Sequence, residues 1–301
     1  MCLYPKILPN PKYQPNEKNG GYVPIMKDPR VGGVPVGCGK CMECMKKKAR
    51  DWKIRLLEEV RHERHGAEFI TLTFAPEEKK KLIADVLEEN PNCEGYDLDN
   101  AVAKLAFKRF NDRWKKKHKT RLKHWIVTEL GDGRTEHLHI HGIVWNKVEP
   151  STRLAKNNRI RYEFQDDIKK LWKYGNTYCG DYVNEATVGY IVKYLMKQDE
   201  AHPHYKPITL ATNGLGANYI KSHNARLHKF NKNGETREVY ITREGYKIQL
   251  PMYYRYKLYS EEEREDLWLQ KLDKGERWVD GSKVNVLSNE PEYYNLLKKL
   301  S

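Results

Sequence analysis

Three histidines alternate with apolar residues in the segment His137-Leu-His-Ile-His141, which runs on into a β-branched stretch. A period of two next to β-branched residues is typical of a β-strand. Because successive side chains of a strand point to opposite faces, His137, His139 and His141 share one face. A lone histidine on a strand is usually a core or surface residue, but three neighbouring imidazoles favour a metal or phosphate role. Either adjacent pair has the spacing for this.

A carboxylate for the same face lies just upstream. The segment Trp125–Glu129 also has strand character, and Gly131-Asp132-Gly133 predicts a turn between the two strands. If the strands pair as a hairpin, Glu129 falls beside the His137 end, on the imidazole face. Two imidazoles and a carboxylate on an open face are a suitable donor set for a divalent cation.

Two tyrosines and two lysines recur at helical spacing within Glu185–Lys197. At about 100° per residue, all four lie within an arc of roughly 100°. These residues are Tyr190, Lys193, Tyr194 and Lys197. The opposite side carries the aliphatic residues Ile191, Val192, Leu195 and Met196. Tyrosines in a helix more often pack in the core, but here aliphatic residues fill that side, so we expect the tyrosines beside the lysines on the open face.

These two segments together predict phosphodiester chemistry. A tyrosine would attack a DNA phosphate while the cation polarises that phosphate and offsets the developing charge. Since the ordinary pKa of tyrosine is about 10, the nucleophile needs a nearby cation. Lys193, one turn from both tyrosines, can supply it. The product would be a 5′-phosphotyrosine with a free 3′-hydroxyl. Hydrolysis would need a general base, which the sequence does not identify.

The cysteines predict a second metal site. Cys38-Gly-Lys-Cys41-Met-Glu-Cys44 contains two overlapping CxxC pairs, which offer three thiolates. Tetrahedral zinc needs a fourth ligand, and Cys2, brought back by the N-terminal arm, is the candidate. The alternative is a set of free thiols in a loop. Six cysteines in an apparently cytosolic chain argue against a disulfide framework.

The bulk composition points to a polyanionic partner. The 301 residues carry a net charge of +14, and 11% of them are aromatic. Such a surface attracts polyanions, with nucleic acid the first expectation and an anionic membrane the second. The chain has no run of about 18 apolar residues and no signal-peptide pattern at Met1, so we expect a soluble, non-secreted protein.

Two basic segments are expected to contact DNA. The helix predicted over Asn100–Lys119 keeps its apolar residues roughly on one side, and its cations are either a solvated face or, as the net charge favours, phosphate contacts. Leu250–Tyr259 interleaves tyrosines with cations, which suits stacking on unpaired bases or, alternatively, a packing strap. The candidate contacts are Lys104, Lys108, Arg109, Arg113, Arg255 and Lys257.

Three motifs in this order resemble the replication initiators of small single-stranded DNA phages of the microvirus group, particularly its gokushovirus-like branch, in the HUH endonuclease superfamily. They are Phe69-Ile-Thr-Leu-Thr-Phe74, then His139-Ile-His141 with Gly-Ile-Val-Trp, then Tyr190-Ile-Val-Lys-Tyr-Leu-Met-Lys197. Glu129 falls where such initiators place an acidic residue, and Cys38–Cys44 matches their cysteine-rich start. The likeness covers most of the first 200 residues.

The resemblance implies an α+β fold with a central antiparallel, RRM-like sheet of about five strands, flanked by helices and carrying the two histidines on its middle strand. With it we expect a cysteine-rich arm over 1–50, an endonuclease domain over 51–200 and a basic, aromatic extension over 201–301. It implies Mg²⁺ or Mn²⁺ and rolling-circle replication by alternating tyrosines. His137 departs from the pattern and competes with Glu129 as third ligand.

The implied partners are single-stranded and replicative-form phage DNA at the origin, a host helicase and the replication polymerase, in the cytoplasm of a bacterial host. A transposase or relaxase of the same superfamily would share the motifs, but usually has other domains or a single tyrosine. From another class, a non-catalytic DNA-binding or packaging protein would use the histidines structurally. Cleavage of single-stranded DNA with Mn²⁺ separates this last class from the others.

Overall fold

The computed structural model describes residues 2–63, 67–131, 137–145, 152–154, 160–180, 183–197, 202 and 204–300. The chain divides into two compact units. One, called the sheet unit, is Leu56–Gly216. The other, called the terminal unit, joins Met1–Arg55 to Ala217–Ser301. The expected domain boundaries near residues 50 and 200 stay a prediction.

The strands of the described residues are, in chain order, β1 (Lys6–Pro9), β2 (Gly33–Val36), β3 (Ala67–Thr73), β4 (Lys123–Leu130), β5 (Leu138–Trp145), β6 (Thr152–Leu154), β7 (Ile160–Tyr162), β8 (Thr177–Cys179), β9 (Thr209–Ala211), β10 (Val239–Ile241), β11 (Lys247–Gln249), β12 (Glu276–Val279) and β13 (Ser282–Asn285). The α-helices are α1 (Met42–His62), α2 (Pro76–Glu89), α3 (Gly95–His118), α4 (Glu163–Leu171), α5 (Glu185–Val192), α6 (His223–Arg226), α7 (Met252–Leu258), α8 (Glu261–Asp273) and α9 (Glu290–Lys298). Short 3₁₀ turns lie at Pro11–Tyr13, Glu17–Asn19, Pro29–Val31, Lys193–Leu195 and Ala217–Lys221.

The sheet unit is built on a five-stranded sheet in the order β8-β3-β5-β4-β9, with each neighbouring pair antiparallel. The histidine strand β5 is central, because it pairs with β3 on one side and β4 on the other. This confirms the expected α+β class, the antiparallel sheet with flanking helices and the cysteine-rich N-terminal group. The turn predicted at Gly131–Gly133 falls largely on residues 132–136, outside the described residues.

One face of the sheet forms the hydrophobic core with α2, α3 and α4. Alternation along β3 and β5 sends Ile70, Leu72 and Ile140 to this face, where all three are fully buried. The helices contribute Phe110 and Trp172, among others, to the same cluster. The residues that alternate with them, including the histidines, therefore project from the opposite face.

The pairing of β4 with β5 requires a glycine in the histidine motif. A Cβ at Gly142 would lie 2.4 Å from Ile126 Cγ2 and 2.7 Å from the Trp125 carbonyl oxygen. Any side chain here would push the two strands apart. The Gly142 position thus keeps the strand that carries Glu129 within hydrogen-bonding distance of the histidine strand.

The terminal unit contains three antiparallel hairpins, β1–β2, β10–β11 and β12–β13. The segment expected as an open strap or a base-stacking surface forms α7, with Tyr254 and Tyr259 buried and Tyr256 exposed. Tyr254 packs in an aromatic cluster with Tyr219 and Tyr240. No helix within the described stretches has both the length and the apolarity to cross a bilayer.

Several elements differ in extent from the sequence prediction. Helix α3 begins at Gly95 rather than at Asn100. The tyrosine helix is α-helical only to Val192 and continues as the 3₁₀ turn Lys193–Leu195. A 3₁₀ turn advances each residue by about 120° rather than 100°, so the residues after it rotate relative to the α-helical projection.

Candidate functional site

The polar face of the sheet brings His139, His141 and Glu129 together. The register pairs Glu129 directly with His139, and its carboxylate reaches His141 on the same face. His141 Nε2 lies 2.7 Å from Glu129 Oε2. The two histidine rings stack with centroids 6.1 Å apart. His137 precedes β5 and is exposed.

The charge states on this face follow from burial and contact. Burial acts to raise the pKa of Glu129, but hydrogen bonds from His141 and from the Lys197 ammonium outweigh it and lower that pKa. Glu129 is therefore an anion at neutral pH. Burial, with the nearby charge of His141, lowers the pKa of His139. A neutral imidazole beside a carboxylate is the protonation state that metal coordination requires.

Strand β3 supplies two residues that hold His141. Thr71, directly opposite His141 in the register, has its hydroxyl oxygen 3.0 Å from His141 Nδ1. The Phe69 ring stacks loosely on His141, with centroids 6.3 Å apart, and lies edge-on to Tyr190. The sequence placed both residues in a motif without assigning them roles. Their alternation along β3, which puts them on the histidine face, was the available signal.

The tyrosines lie over this face on α5 and the turn that follows it. Asn184 caps α5 by accepting a hydrogen bond from the Thr187 amide. Ile191 and Leu195 are buried, as the predicted facial division requires. Met196, predicted on the aliphatic side, instead lines the tyrosine cavity, consistent with the rotation that the 3₁₀ turn introduces.

Tyr194 packs flat on His141, with ring centroids 4.4 Å apart and planes within 5° of parallel. The hydroxyls of Tyr190 and Tyr194 are 2.6 Å apart. Burial, the hydrogen bond with Tyr190 and the Glu129 charge together raise the pKa of Tyr194. Tyr190 is the more accessible of the two, with 52% of its surface exposed. The two phenols therefore differ in environment although their oxygens share one position.

An open cavity of about 580 Å³ collects the predicted catalytic groups. Its lining consists of Glu129, Tyr190, Lys193, Tyr194, Met196 and Lys197. The structure thus brings together both tyrosines, both lysines and the acidic residue beside the histidines. Their chemical roles remain predictions.

The four cysteines form a closed cluster in the terminal unit. Their sulfurs all lie within 4.8 Å of one another, and within the described part of the chain they are the one such group of metal-ligating residues. The β1–β2 pairing returns Cys2 to the loop that carries Cys38 and Cys41. Cys2 Sγ and Cys41 Sγ are 3.8 Å apart. Tetrahedral zinc with bonds of about 2.3 Å would separate its sulfurs by about 3.8 Å.

Backbone amides stabilise negative charge on two of these sulfurs. The amides of Lys40 and Cys41 donate to Cys38 Sγ and lower the pKa of Cys38 to about 6. Cys2 Sγ accepts from the amides of Tyr4 and Cys38. Burial raises the pKa of Cys44 to about 12. A cation would offset that cost, so the cluster could hold a structural metal.

The predicted DNA-contacting residues are scattered. Lys104 and Lys108 are exposed on α3, whose apolar side packs against the sheet face opposite the histidines. On the same helix, Arg109 forms an ion pair with Asp85 at 2.5 Å, and Arg113 donates to the Leu171 carbonyl oxygen at 2.8 Å.

The two predicted contacts on α7 also differ. Arg255 forms an ion pair with Glu238 at 2.7 Å and is largely buried, whereas Lys257 is exposed. Lys104, Lys108 and Lys257 are therefore the candidates whose charges face solvent.

A family model for replication-associated proteins of the ORF2 type matches residues 67–199. The matched segment includes β3, β5 and α5, which carry the site. This match supports a role in the initiation of DNA replication and, in general terms, a nuclease or nicking activity on DNA. No curated protein and no solved structure matches the chain.

Proposed function

We propose that the protein initiates rolling-circle replication by nicking and rejoining single-stranded DNA through a phosphotyrosine intermediate. The observation that carries the proposal is the tyrosine pair. The Tyr190 and Tyr194 hydroxyls are 2.6 Å apart, above the histidine face, in a cavity that Lys193 and Lys197 also line. Two nucleophiles with one shared position can act in turn on one phosphate site.

The reaction conserves the number of phosphodiester bonds. A phenol oxygen attacks phosphorus, a tyrosine-oxygen-to-phosphorus bond forms, and the bond from phosphorus to the 3′-oxygen breaks. The phenol gives up its proton and the departing 3′-oxygen gains one, leaving a 3′-hydroxyl and a 5′-phosphotyrosine. The lysine ammonium groups in the cavity stabilise phenolate and phosphate charge. Because the bond energy is retained, a 3′-hydroxyl can later reverse the step.

The donor set beside the tyrosines suits a divalent cation, Mg²⁺ or Mn²⁺. His139, His141 and Glu129 would hold it, since two neutral imidazoles and an ionised carboxylate occupy one face. Such an ion would polarise the scissile phosphate and offset its developing charge. Exposed His137, which precedes the strand, is the alternative to Glu129 as third ligand.

Alternation of the tyrosines solves a problem of rolling-circle copying. After one round the first tyrosine still holds the 5′ end, so a second nucleophile must cut the regenerated origin. We assign Tyr190 the first cut, because Tyr190-Ile-Val-Lys193 fits the YxxK pattern and Tyr190 is half exposed. Tyr194, stacked on His141, would make the second cut.

The biological setting is part of the same proposal. The motif resemblance favours an initiator of a microvirus-like phage that acts on single-stranded and replicative-form DNA at the origin. Host helicase and polymerase would then extend the freed 3′ end, in the cytoplasm of a bacterium. A relaxase or transposase of the superfamily would share the cleavage step but would not release circles.

We also propose zinc as the metal of the cysteine cluster. Four thiol ligands with a 3.8 Å edge fit tetrahedral coordination, and amide donors to Cys2 and Cys38 favour their thiolates. Its role would be structural, because four protein ligands leave no open position for substrate.

The test is covalent trapping of labelled origin single strand with Mn²⁺ on a denaturing gel. Wild type should form an adduct, and Tyr190→Phe and Tyr194→Phe should each form less through the remaining phenol. The double variant should form none. Tyr178→Phe is the matched control, because Tyr178 is exposed and also contacts Phe69.

The metal has its own arm in this experiment. His139→Ala and His141→Ala should each abolish the adduct while largely retaining DNA binding, which comes mostly from phosphate contacts elsewhere. Adduct persisting in the double tyrosine variant would end the tyrosine mechanism. Adduct persisting after loss of both histidines would end the metal assignment.

A further inference from the structure

The terminal unit contains a cavity of about 480 Å³ that lies wholly outside residues 67–199. Its walls come from the hairpins β10–β11 and β12–β13 and from α8. Ligand sites in proteins typically measure about 300–1,000 Å³, so the cavity is large enough for a molecule of nucleotide size.

Cations outnumber anions in the lining. The cationic residues are Arg237, Lys247, Lys271, Lys274 and Lys283, and the acidic residues are Glu235, Glu238 and Glu276. Five positive groups against three negative ones leave the walls with a net positive charge at neutral pH. A ligand with one or two negative charges would complement it.

The buried acidic groups are already matched. Glu238 accepts from Lys271 at 2.5 Å and from Arg255 at 2.7 Å, so two cations share this one carboxylate. Burial is the main cause that lowers the pKa of Lys271, to about 8. This part of the wall thus repels an incoming anion little and keeps a positive excess.

The rim cations are differently placed. Lys283 lies 2.6 Å from Glu276. Lys247 and Lys274 are exposed, and neither has a carboxylate ion-pair partner within the described part of the chain. These two ammonium groups are available to an anionic ligand without first breaking an ion pair.

The remaining wall is apolar. Val239, Ile241, Leu267 and Trp278 line the same cavity. An apolar surface beside unpaired cations matches a molecule with a flat, weakly polar part and an anionic part. Nucleotides have this composition, since every base offers an aromatic face and every phosphate a charge.

We propose that this cavity binds a nucleotide, with Lys247 and Lys274 on its phosphate and the apolar wall against its base. The site gives the terminal unit a nucleic-acid function of its own. The proposal does not depend on tyrosine chemistry in the sheet unit. Two sources share the ligand chemistry, a free mononucleotide and a nucleotide within a single strand.

The experiment measures equilibrium dialysis of labelled thymidine 5′-monophosphate, and binding of a labelled oligothymidylate, by the full chain. The test variant is Lys247→Glu with Lys274→Glu. The control is Lys18→Glu with Lys299→Glu, which makes the same change in net charge at exposed positions of the same unit outside the cavity. Circular dichroism melts establish that both variants fold.

Wild type and control should bind the mononucleotide saturably and alike, and thymidine without phosphate more weakly. The cavity variant should bind the mononucleotide at least about tenfold more weakly, because each substitution removes a charge-assisted hydrogen bond to the phosphate. A parallel loss with oligothymidylate identifies the strand as the source; a loss with the mononucleotide alone identifies the free nucleotide. Equal binding of both ligands by cavity variant and control would overturn the proposal.

Covalent trapping of origin strand separates this result from the proposed nicking function. A cavity variant that still forms the tyrosine adduct, yet has lost mononucleotide binding, supports the cavity alone. A Tyr190→Phe, Tyr194→Phe protein should bind the mononucleotide as wild type does. If it does not, the mononucleotide occupies the tyrosine site and the cavity assignment fails.

Discussion

Thr71→Val tests whether the sheet holds His141 in a metal-binding orientation. The Thr71 hydroxyl lies 3.0 Å from His141 Nδ1, while Nε2 faces Glu129 at 2.7 Å. A hydroxyl both donates and accepts, so Thr71 can serve either tautomer of the ring. With Glu129 ionised, Nε2 carries the proton and Nδ1 accepts from Thr71. When a cation takes Nε2, Nδ1 must carry the proton and donate instead.

Valine has nearly the shape of threonine but neither donates nor accepts. The substitution therefore removes one hydrogen bond, leaves the fold of β3 intact and allows the His141 ring to turn. Loss of such an outer partner of a metal ligand typically weakens metal binding by about 10- to 100-fold. That range corresponds to roughly 1.4–2.7 kcal/mol. Thr71→Ser, which restores the hydroxyl, should recover most of the affinity.

The assay is Mn²⁺ affinity by electron paramagnetic resonance, followed by nicking across a Mn²⁺ titration. We expect the Mn²⁺ requirement to rise while the rate at saturating Mn²⁺ falls little. Thr73→Val is the matched control: Thr73 lies on the same strand face, but its hydroxyl donates to the Asn176 carbonyl oxygen rather than to a histidine. Unchanged Mn²⁺ affinity in Thr71→Val, or an equal loss in Thr73→Val, would refute the reasoning.

Three further outcomes are expected. Removing metal from the cysteine cluster with a chelator should lower the thermal midpoint by about 5 °C or more, and zinc should restore it; an unchanged midpoint contradicts a structural metal. Lys104→Gln with Lys108→Gln should reduce the salt dependence of single-strand binding by about 0.7 for each phosphate that the lysines neutralise, with the nicking rate at saturating DNA unchanged. His228, buried between the Tyr219 hydroxyl and the Arg237 carbonyl oxygen, has a pKa lowered mainly by burial. The unfolded chain binds its proton more readily, so urea unfolding should show stability lost as pH falls below about 6.5, less so in His228→Gln.

The elements of the site could be predicted from local pattern. Alternation identified the histidine strand and its neighbour β3, and helical spacing placed Tyr190 and Tyr194 on one side of their helix. Each of these patterns reflects the geometry of a few consecutive residues, which the sequence contains in full.

Electrostatic roles were harder to predict, because a charge in the sequence does not reveal its partner. Arg109, Arg113 and Arg255 look like DNA contacts by composition, yet each has an internal partner in the structure. Exposed Lys104 and Lys108 differ from them only through packing. The partner acids and carbonyls lie far away along the chain, so no local pattern could separate the two groups.

The sequence by itself determined the residue types, the faces that they share and the cysteine spacing that suits a metal. The tertiary structure alone decided which faces meet. Strand register puts Glu129 against His141 while His137 lies beyond the strand, and packing of a distant helix sets Tyr194 flat on the His141 ring. Likewise, β1–β2 pairing brings Cys2 to Cys38. Periodicity is a local property of the backbone, whereas a contact of 2.7 Å between remote segments depends on how all the intervening elements pack.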